Sequence, residues 1–198
     1  VSEPLRDVLP GNAMIATAVA SPLLTPFKLT FFAALFLVMP VVLFQVWNFI
    51  APGLYKNEKR FAIPLLATSI VLFYLGIAFA YFVVFPLIFG FFTSIAPEGV
   101  EVQTDITQFL DFITTIVFAF GIAFEVPVAT VLIVWAGLTD IEKLGKARPY
   151  VFLMAFIAGM FLTPPDVISQ SLLAVPVYLL YELGIIMSRI FIKNKIDD

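Results

Sequence analysis

Residues 29–50, LTFFAALFLVMPVVLFQVWNFI, decide the fold class, because these 22 consecutive residues carry no charge. As an α-helix they would extend about 33 Å, and the hydrocarbon core of a bilayer is about 30 Å thick. Trp47 stands near the end of the stretch, where aromatic side chains favour the membrane interface. The stretch therefore predicts a membrane-spanning helix.

The composition of the whole chain agrees with a membrane protein. Of its 198 residues, 62% are hydrophobic and 13% are charged, which is more apolar surface than a soluble domain of this size buries. The net charge of −3 argues against nucleic acid as a partner. The chain has no cysteine and no histidine, so thiolate or imidazole metal sites and Ser-His-Asp catalysis are excluded. We expect no catalytic site, metal or cofactor.

Four more apolar stretches follow the first, so we predict an all-α, polytopic helix bundle forming one transmembrane domain over residues 1–198. The predicted spans are 29–50, 61–92, 109–138, 149–163 and 167–192, with an outer loop at 1–28 and a tail at 193–198. The fourth span holds only about 13 apolar residues and is short for a bilayer. Prolines inside the spans predict kinked helices that form a concave body; they are Pro40, Pro86, Pro127 and Pro176.

Basic residues alternate between successive connections and predict the orientation. They are Lys56, Lys59 and Arg60 after the first span, Lys143, Lys146 and Arg148 after the third, and Arg189, Lys193 and Lys195 at the end. Loops rich in lysine and arginine face the cytoplasm. We therefore place the turn containing Glu58 and the C-terminus inside. Five spans with an outside N-terminus are unusual, and an additional helix ahead of residue 1 would resolve this.

Glu125 is the most costly residue of the sequence, because it lies inside the third span. An ionisable group at mid-span costs about 2.5–3.5 kcal/mol on insertion scales, so it faces protein or water rather than lipid. It either hydrogen-bonds to a neighbouring helix for packing or contacts a substrate or partner helix. The residue chemistry favours the functional role but leaves both open.

Glu58 lies among three basic residues where a helix hairpin would leave the bilayer. A glutamate at a helix start ordinarily complements the helix dipole, but a carboxylate there also binds guanidinium groups bidentately. Asp166 ordinarily would cap the last helix, Thr163 and Gln170 flank the same turn, and Met160 ordinarily would serve packing.

Motifs spread along the chain resemble those of TatC, the multispanning receptor of the twin-arginine, Sec-independent protein translocase. The resemblance rests on SPLLTPFKLTF (21–31), FIAPGLYKNEKR (49–60), FAYF (79–82) with FP (85–86), APEGV (96–100), FG (120–121) with FEVPV (124–128), RPY (148–150), and LTPPDV (162–167) with SQ (169–170). These motifs stand in the family's order and cover essentially the whole chain.

The resemblance implies a bacterial inner-membrane protein that binds twin-arginine signal peptides at the cytoplasmic face. It would export folded proteins together with TatA- and TatB-type single-span subunits and form a homo-oligomer within the translocase. By the same resemblance Glu58, Phe49 and Tyr55 bind the signal peptide. An intramembrane surface for partner helices would include Glu125, Met160, Thr163 and Gln170, and Asp166 would be a functional acid of the outer turn. The family's N-terminal segment and first helix are expected to be missing from this chain.

Two other function classes compete with a protein translocase subunit. The stronger is a proton-coupled small-solute transporter that uses Glu125. The weaker is an intramembrane enzyme, because the chain lacks histidine, cysteine and paired intramembrane aspartates.

Overall fold

The computed structural model describes residues 21–50, 59–95, 105–162 and 167–196, and these form a bundle of helices. In chain order the helices are α1 (Ser21–Ile50), α2 (Lys59–Phe79), a π-helical segment (Ala80–Val84), α3 (Phe85–Ile95), α4 (Ile106–Ala123), α5 (Val126–Trp135), α6 (Ile141–Leu162) and α7 (Val167–Ile196).

Five helical stretches of the described chain are long and apolar enough to cross a membrane. They are Thr25–Asn48, Ile63–Phe91, Ile106–Trp135, Ile141–Leu162 and Gln170–Ile190. The second runs through α2, the π-helical segment and α3, and the third combines α4 with α5. The predicted all-α, polytopic membrane bundle is confirmed.

Two helices begin eight residues before their predicted spans. α1 starts at Ser21, eight residues before the predicted start at 29, so 21–28 are helical rather than part of the outer loop. Pro22 lies in the first turn, where a missing N–H costs the helix nothing. α6 starts at Ile141 and is 22 residues long, so the fourth span includes charged residues that the sequence pattern assigned to a loop.

Polar groups fix both ends of the third span. The Asp105 carboxylate caps α4 and accepts hydrogen bonds from the backbone N–H groups of Thr107 at 2.8 Å and Gln108 at 3.1 Å. At the other end, Gly137 has a φ of +71° and follows the last turn of α5. Its N–H donates to Val134 O, and Leu138 N–H donates to Ile133 O, which is the Schellman arrangement.

Glycine allows α2 and α4 to pack closely. A Cβ on Gly76 would lie 2.5 Å from the carbonyl oxygen of Phe120, and a Cβ on Gly121 would lie 2.6 Å from the Phe73 ring. Small residues at such crossings let helix backbones approach each other. A hydrophobic core extends from this crossing to α3. Four of its side chains are fully buried: Phe85, Ile88, Ile116 and Phe120.

α7 packs against α5 and α6. Gly184 is buried where α7 meets Pro127 and Thr130 of α5, with no room for a larger side chain. In contrast, α1 exposes large apolar side chains such as Phe31 and Leu37. An apolar outer surface is expected where helices face lipid.

The span prolines differ in their surroundings. Pro40 and Pro176 lie within the uninterrupted helices α1 and α7. Pro86 follows the π-helical segment, and Pro127 is the second residue of α5, directly after a helix break.

Candidate functional site

Glu125 lies in the break between α4 and α5. α4 ends at Ala123 and α5 begins at Val126, so Phe124 and Glu125 form a turn inside the third span. The backbone around it remains hydrogen-bonded, because Glu125 N–H donates to Ile122 O at 3.0 Å and Glu125 O accepts from Ala129 N–H at 2.8 Å. The break therefore leaves both backbone groups of Glu125 hydrogen-bonded.

The Glu125 carboxyl group contacts α2. The Ser69 hydroxyl, on α2, donates a hydrogen bond to Glu125 Oε2. Ser69 is only 1% exposed, and Glu125 Oε1 is also buried, without a hydrogen-bond partner in the described part of the chain. Placing a carboxyl oxygen in apolar surroundings without a donor is costly. This carboxyl group therefore lies between helices, with one oxygen held and the other available to a donor.

Met160 and Gln170 occupy adjoining ends of α6 and α7. Met160 is 52% exposed, and Gln170 is partly exposed near the start of α7. The helix ends meet here, since a Cβ on Gly159 would lie 3.5 Å from Gln170 O. Thr163 and Asp166, predicted to belong to the same turn, lie outside the described residues.

The predicted signal-peptide residues fall at the edge of the described chain. Tyr55 and Glu58 lie outside it, and Phe49 belongs to the last turn of α1, with its side chain outside the described set. α2 begins at Lys59, so Glu58 directly precedes this helix in sequence. Its assignment to signal-peptide binding stays a prediction.

Sequence reasoning missed a polar network that joins α6 to α7. Arg148 Nη2 donates to Glu182 Oε2 at 2.8 Å, and the Tyr178 hydroxyl donates to Glu182 Oε1 at 3.0 Å. Arg148 Nε lies 2.6 Å from Glu182 Oε1 as an ion pair, but its N–H is not aimed at that oxygen. Only the position of Glu182 inside a predicted span hinted at a partner.

A second ion pair joins α1 to α4. Lys28 Nζ donates to both carboxylate oxygens of Asp111, at 2.8 and 2.9 Å. No group of three or more acidic side chains in the described segments could hold a metal ion. The polar chemistry found within the bundle is therefore that of hydrogen bonds and ion pairs between helices.

A comparison with family models decides the classification. The model described as Sec-independent protein translocase protein (TatC) matches residues 1–176. The chain belongs to the TatC family. It is therefore a subunit of the Sec-independent Tat protein translocase and a multi-pass membrane protein, and its role is protein transport rather than enzymatic catalysis.

Individual TatC proteins are similar along nearly the whole chain. The TatC protein of Azotobacter chroococcum mcd 1 is 64% identical over 186 residues, which cover 93% of this chain and 73% of that protein. The TatC protein of Escherichia coli K12 is 58% identical over 193 residues, covering 97% of this chain and 75% of that protein.

The fold is also that of a solved TatC structure. The crystal structure described as the twin arginine translocase receptor TatC matches with a TM-score of 0.85 at 36% identity. The match covers 96% of this chain and 83% of that one. The helical bundle described above therefore has the TatC fold.

Proposed function

We propose that the chain recognises twin-arginine signal peptides at the cytoplasmic face of the bacterial inner membrane. It would assemble there with TatA- and TatB-type single-span subunits, and with further copies of itself, to export folded proteins. Membership of the TatC family over residues 1–176, which include the run around Glu58, carries this proposal. A structural relative described as a twin arginine translocase receptor supports it.

The chemistry of Glu58 suits binding of paired arginines. Guanidinium and carboxylate groups form two parallel charge-assisted hydrogen bonds, which a lysine ammonium group does not reproduce. Glu58 directly precedes α2, at the end of the connection between the first two membrane helices. Phe49 and Tyr55 stand nearby in sequence and would offer aromatic surface to the peptide.

The distribution of basic residues supports a cytoplasmic position for this connection. Lys56, Lys59 and Arg60 lie there, and the second basic group lies in the first two turns of α6. Each pair of successive spans reverses direction, so both basic groups fall on the same side of the membrane. The positive-inside rule assigns that side to the cytoplasm.

Partner helices would dock on the surface carrying Glu125, Met160, Thr163 and Gln170. Asp166 would be a functional acid of the outer turn. Exposed Met160 and partly exposed Gln170 combine apolar and hydrogen-bonding surface at one helix end. Polar groups in a membrane favour hydrogen bonds between helices. No observation favours solute transport by Glu125 over this role.

Site-specific crosslinking in the complete translocase tests signal-peptide recognition. A photoreactive amino acid replaces Asn57, beside Glu58, and a precursor with a twin-arginine signal peptide is added. We expect a crosslink to the signal peptide that disappears when both arginines become lysines. The same probe at Val102, in the connection between the second and third predicted spans on the opposite side of the membrane, is the control. Equal crosslinking from both positions, or none from position 57, would overturn the proposal.

A further inference from the structure

We infer that Ser69 is a positioning residue, which holds the Glu125 carboxyl group withdrawn between α2 and the α4–α5 break. The functional part of the inference, that partner docking requires this contact to open, rests on the proposed role of Glu125. The contact itself does not depend on that role.

The Ser69 hydroxyl departs from the pattern of its neighbours. In membrane helices, serine and threonine hydroxyls commonly donate to the carbonyl four residues earlier in their own helix. The adjacent Thr68 hydroxyl donates to Pro64 O at 2.9 Å, and the Ser188 hydroxyl donates to Gly184 O at 2.8 Å. Ser69 instead donates to Glu125, 56 positions away in sequence. This hydroxyl therefore joins two helices.

The surroundings of the second carboxyl oxygen of Glu125 indicate that the Ser69 hydrogen bond keeps the side chain buried. Glu125 Oε1 is buried and receives no hydrogen bond within the described segments, although the residue as a whole is partly exposed. With Ser69 removed, both oxygens would lack a donor in apolar surroundings, and the side chain would gain by turning toward the exposed side. The Ser69 hydrogen bond thus stabilises the buried orientation of the Glu125 carboxyl group, which would otherwise turn outward.

A partner helix therefore meets the carboxyl group in a withdrawn position. A hydrogen-bond donor on that helix would compete with Ser69 for the carboxyl group. Such competition would make docking depend on opening a single interhelical hydrogen bond.

Labelling by the hydrophobic reagent dicyclohexylcarbodiimide tests the contact, because the reagent modifies carboxyl groups within apolar surroundings. The full protein is reconstituted in liposomes without partner subunits, and mass spectrometry measures labelling at Glu125 and, for comparison, at Glu182. In Ser69→Ala we expect labelling of Glu125 to rise about fivefold, the population change produced by losing one ordinary hydrogen bond. Labelling of Glu182 should stay unchanged, and Ser69→Thr, which keeps the hydroxyl, should restore the wild-type level at Glu125.

The matched control is Ser188→Ala, since Ser188 is also 1% exposed but bonds within its own helix. Unchanged Glu125 labelling in Ser69→Ala, or an equal rise in Ser188→Ala, would overturn the inference. Crosslinking of a partner helix to position 160 is measured separately and should increase in Ser69→Ala. If Ser69→Ala changes the labelling of Glu125 but not the crosslinking at position 160, the Ser69–Glu125 contact is supported and its link to partner docking is rejected.

Discussion

Arg148 and Glu182 join the last two helices of the bundle across 34 positions of sequence, with Nη2 2.8 Å from Oε2. The Tyr178 hydroxyl binds the other carboxylate oxygen. Both charges lie in segments apolar enough to span a membrane, where an unpaired charge is costly. The pair therefore fixes α6 against α7 and, with it, the helix ends that carry Met160 and Gln170.

Removing either charge should loosen this helix pair. We expect Arg148→Gln or Glu182→Gln to lower the apparent melting temperature in detergent, because each leaves the other charge without its partner. Double-mutant analysis measures the coupling, and the combined variant should lose less than the sum of the two single losses. Strictly additive losses would show that the two side chains do not act as a pair.

Gly76 should be intolerant of even one methyl group. Gly76→Ala places a Cβ 2.5 Å from Phe120 O, so the α2 and α4 backbones must separate. Overpacking of this kind costs about 1–3 kcal/mol. The control is Gly90→Ala in α3, within the same membrane span, where an added Cβ would meet nothing within 4 Å. The apparent melting temperature should fall only in Gly76→Ala, and equal values for both variants would refute close packing at Gly76.

Asp105 should stabilise the first turn of α4 through its cap. Asp105→Ala removes the acceptor for two backbone N–H groups, which costs about 1 kcal/mol at a typical cap. Hydrogen exchange at the Thr107 and Gln108 amides should become faster, while Asp105→Ser should retain most of the protection. Exchange rates that are the same in Asp105→Ala and the unaltered protein would contradict the capping role.

The sequence predicted the bundle because uncharged stretches of membrane length are a strong signal, and Glu125 stood out as a charge within one of them. Its partner could not be predicted. A serine in an apolar helix ordinarily bonds to its own backbone, and Ser69 is distinguished only by the tertiary position of its hydroxyl.

The start of α6 was missed for a related reason. Its charges between 142 and 148 are typical of a loop, but Arg148 pairs with Glu182 of α7. Pairing across helices lets a helix carry charges that hydropathy alone assigns to water. Such pairs depend on which helices become neighbours, which the local sequence does not specify.

Binding of a signal peptide by the purified translocase tests the role of Glu58 most directly. Affinities are measured for one peptide with Arg-Arg and a matched peptide with Lys-Lys, using the unaltered protein, Glu58→Gln, and Glu142→Gln as a control at another helix start. The account predicts that Glu58→Gln weakens Arg-Arg binding by at least about tenfold, the effect of losing a charged hydrogen-bond partner, and barely changes the weak Lys-Lys binding. Equal losses for both peptides, or an equal effect of Glu142→Gln, would contradict it.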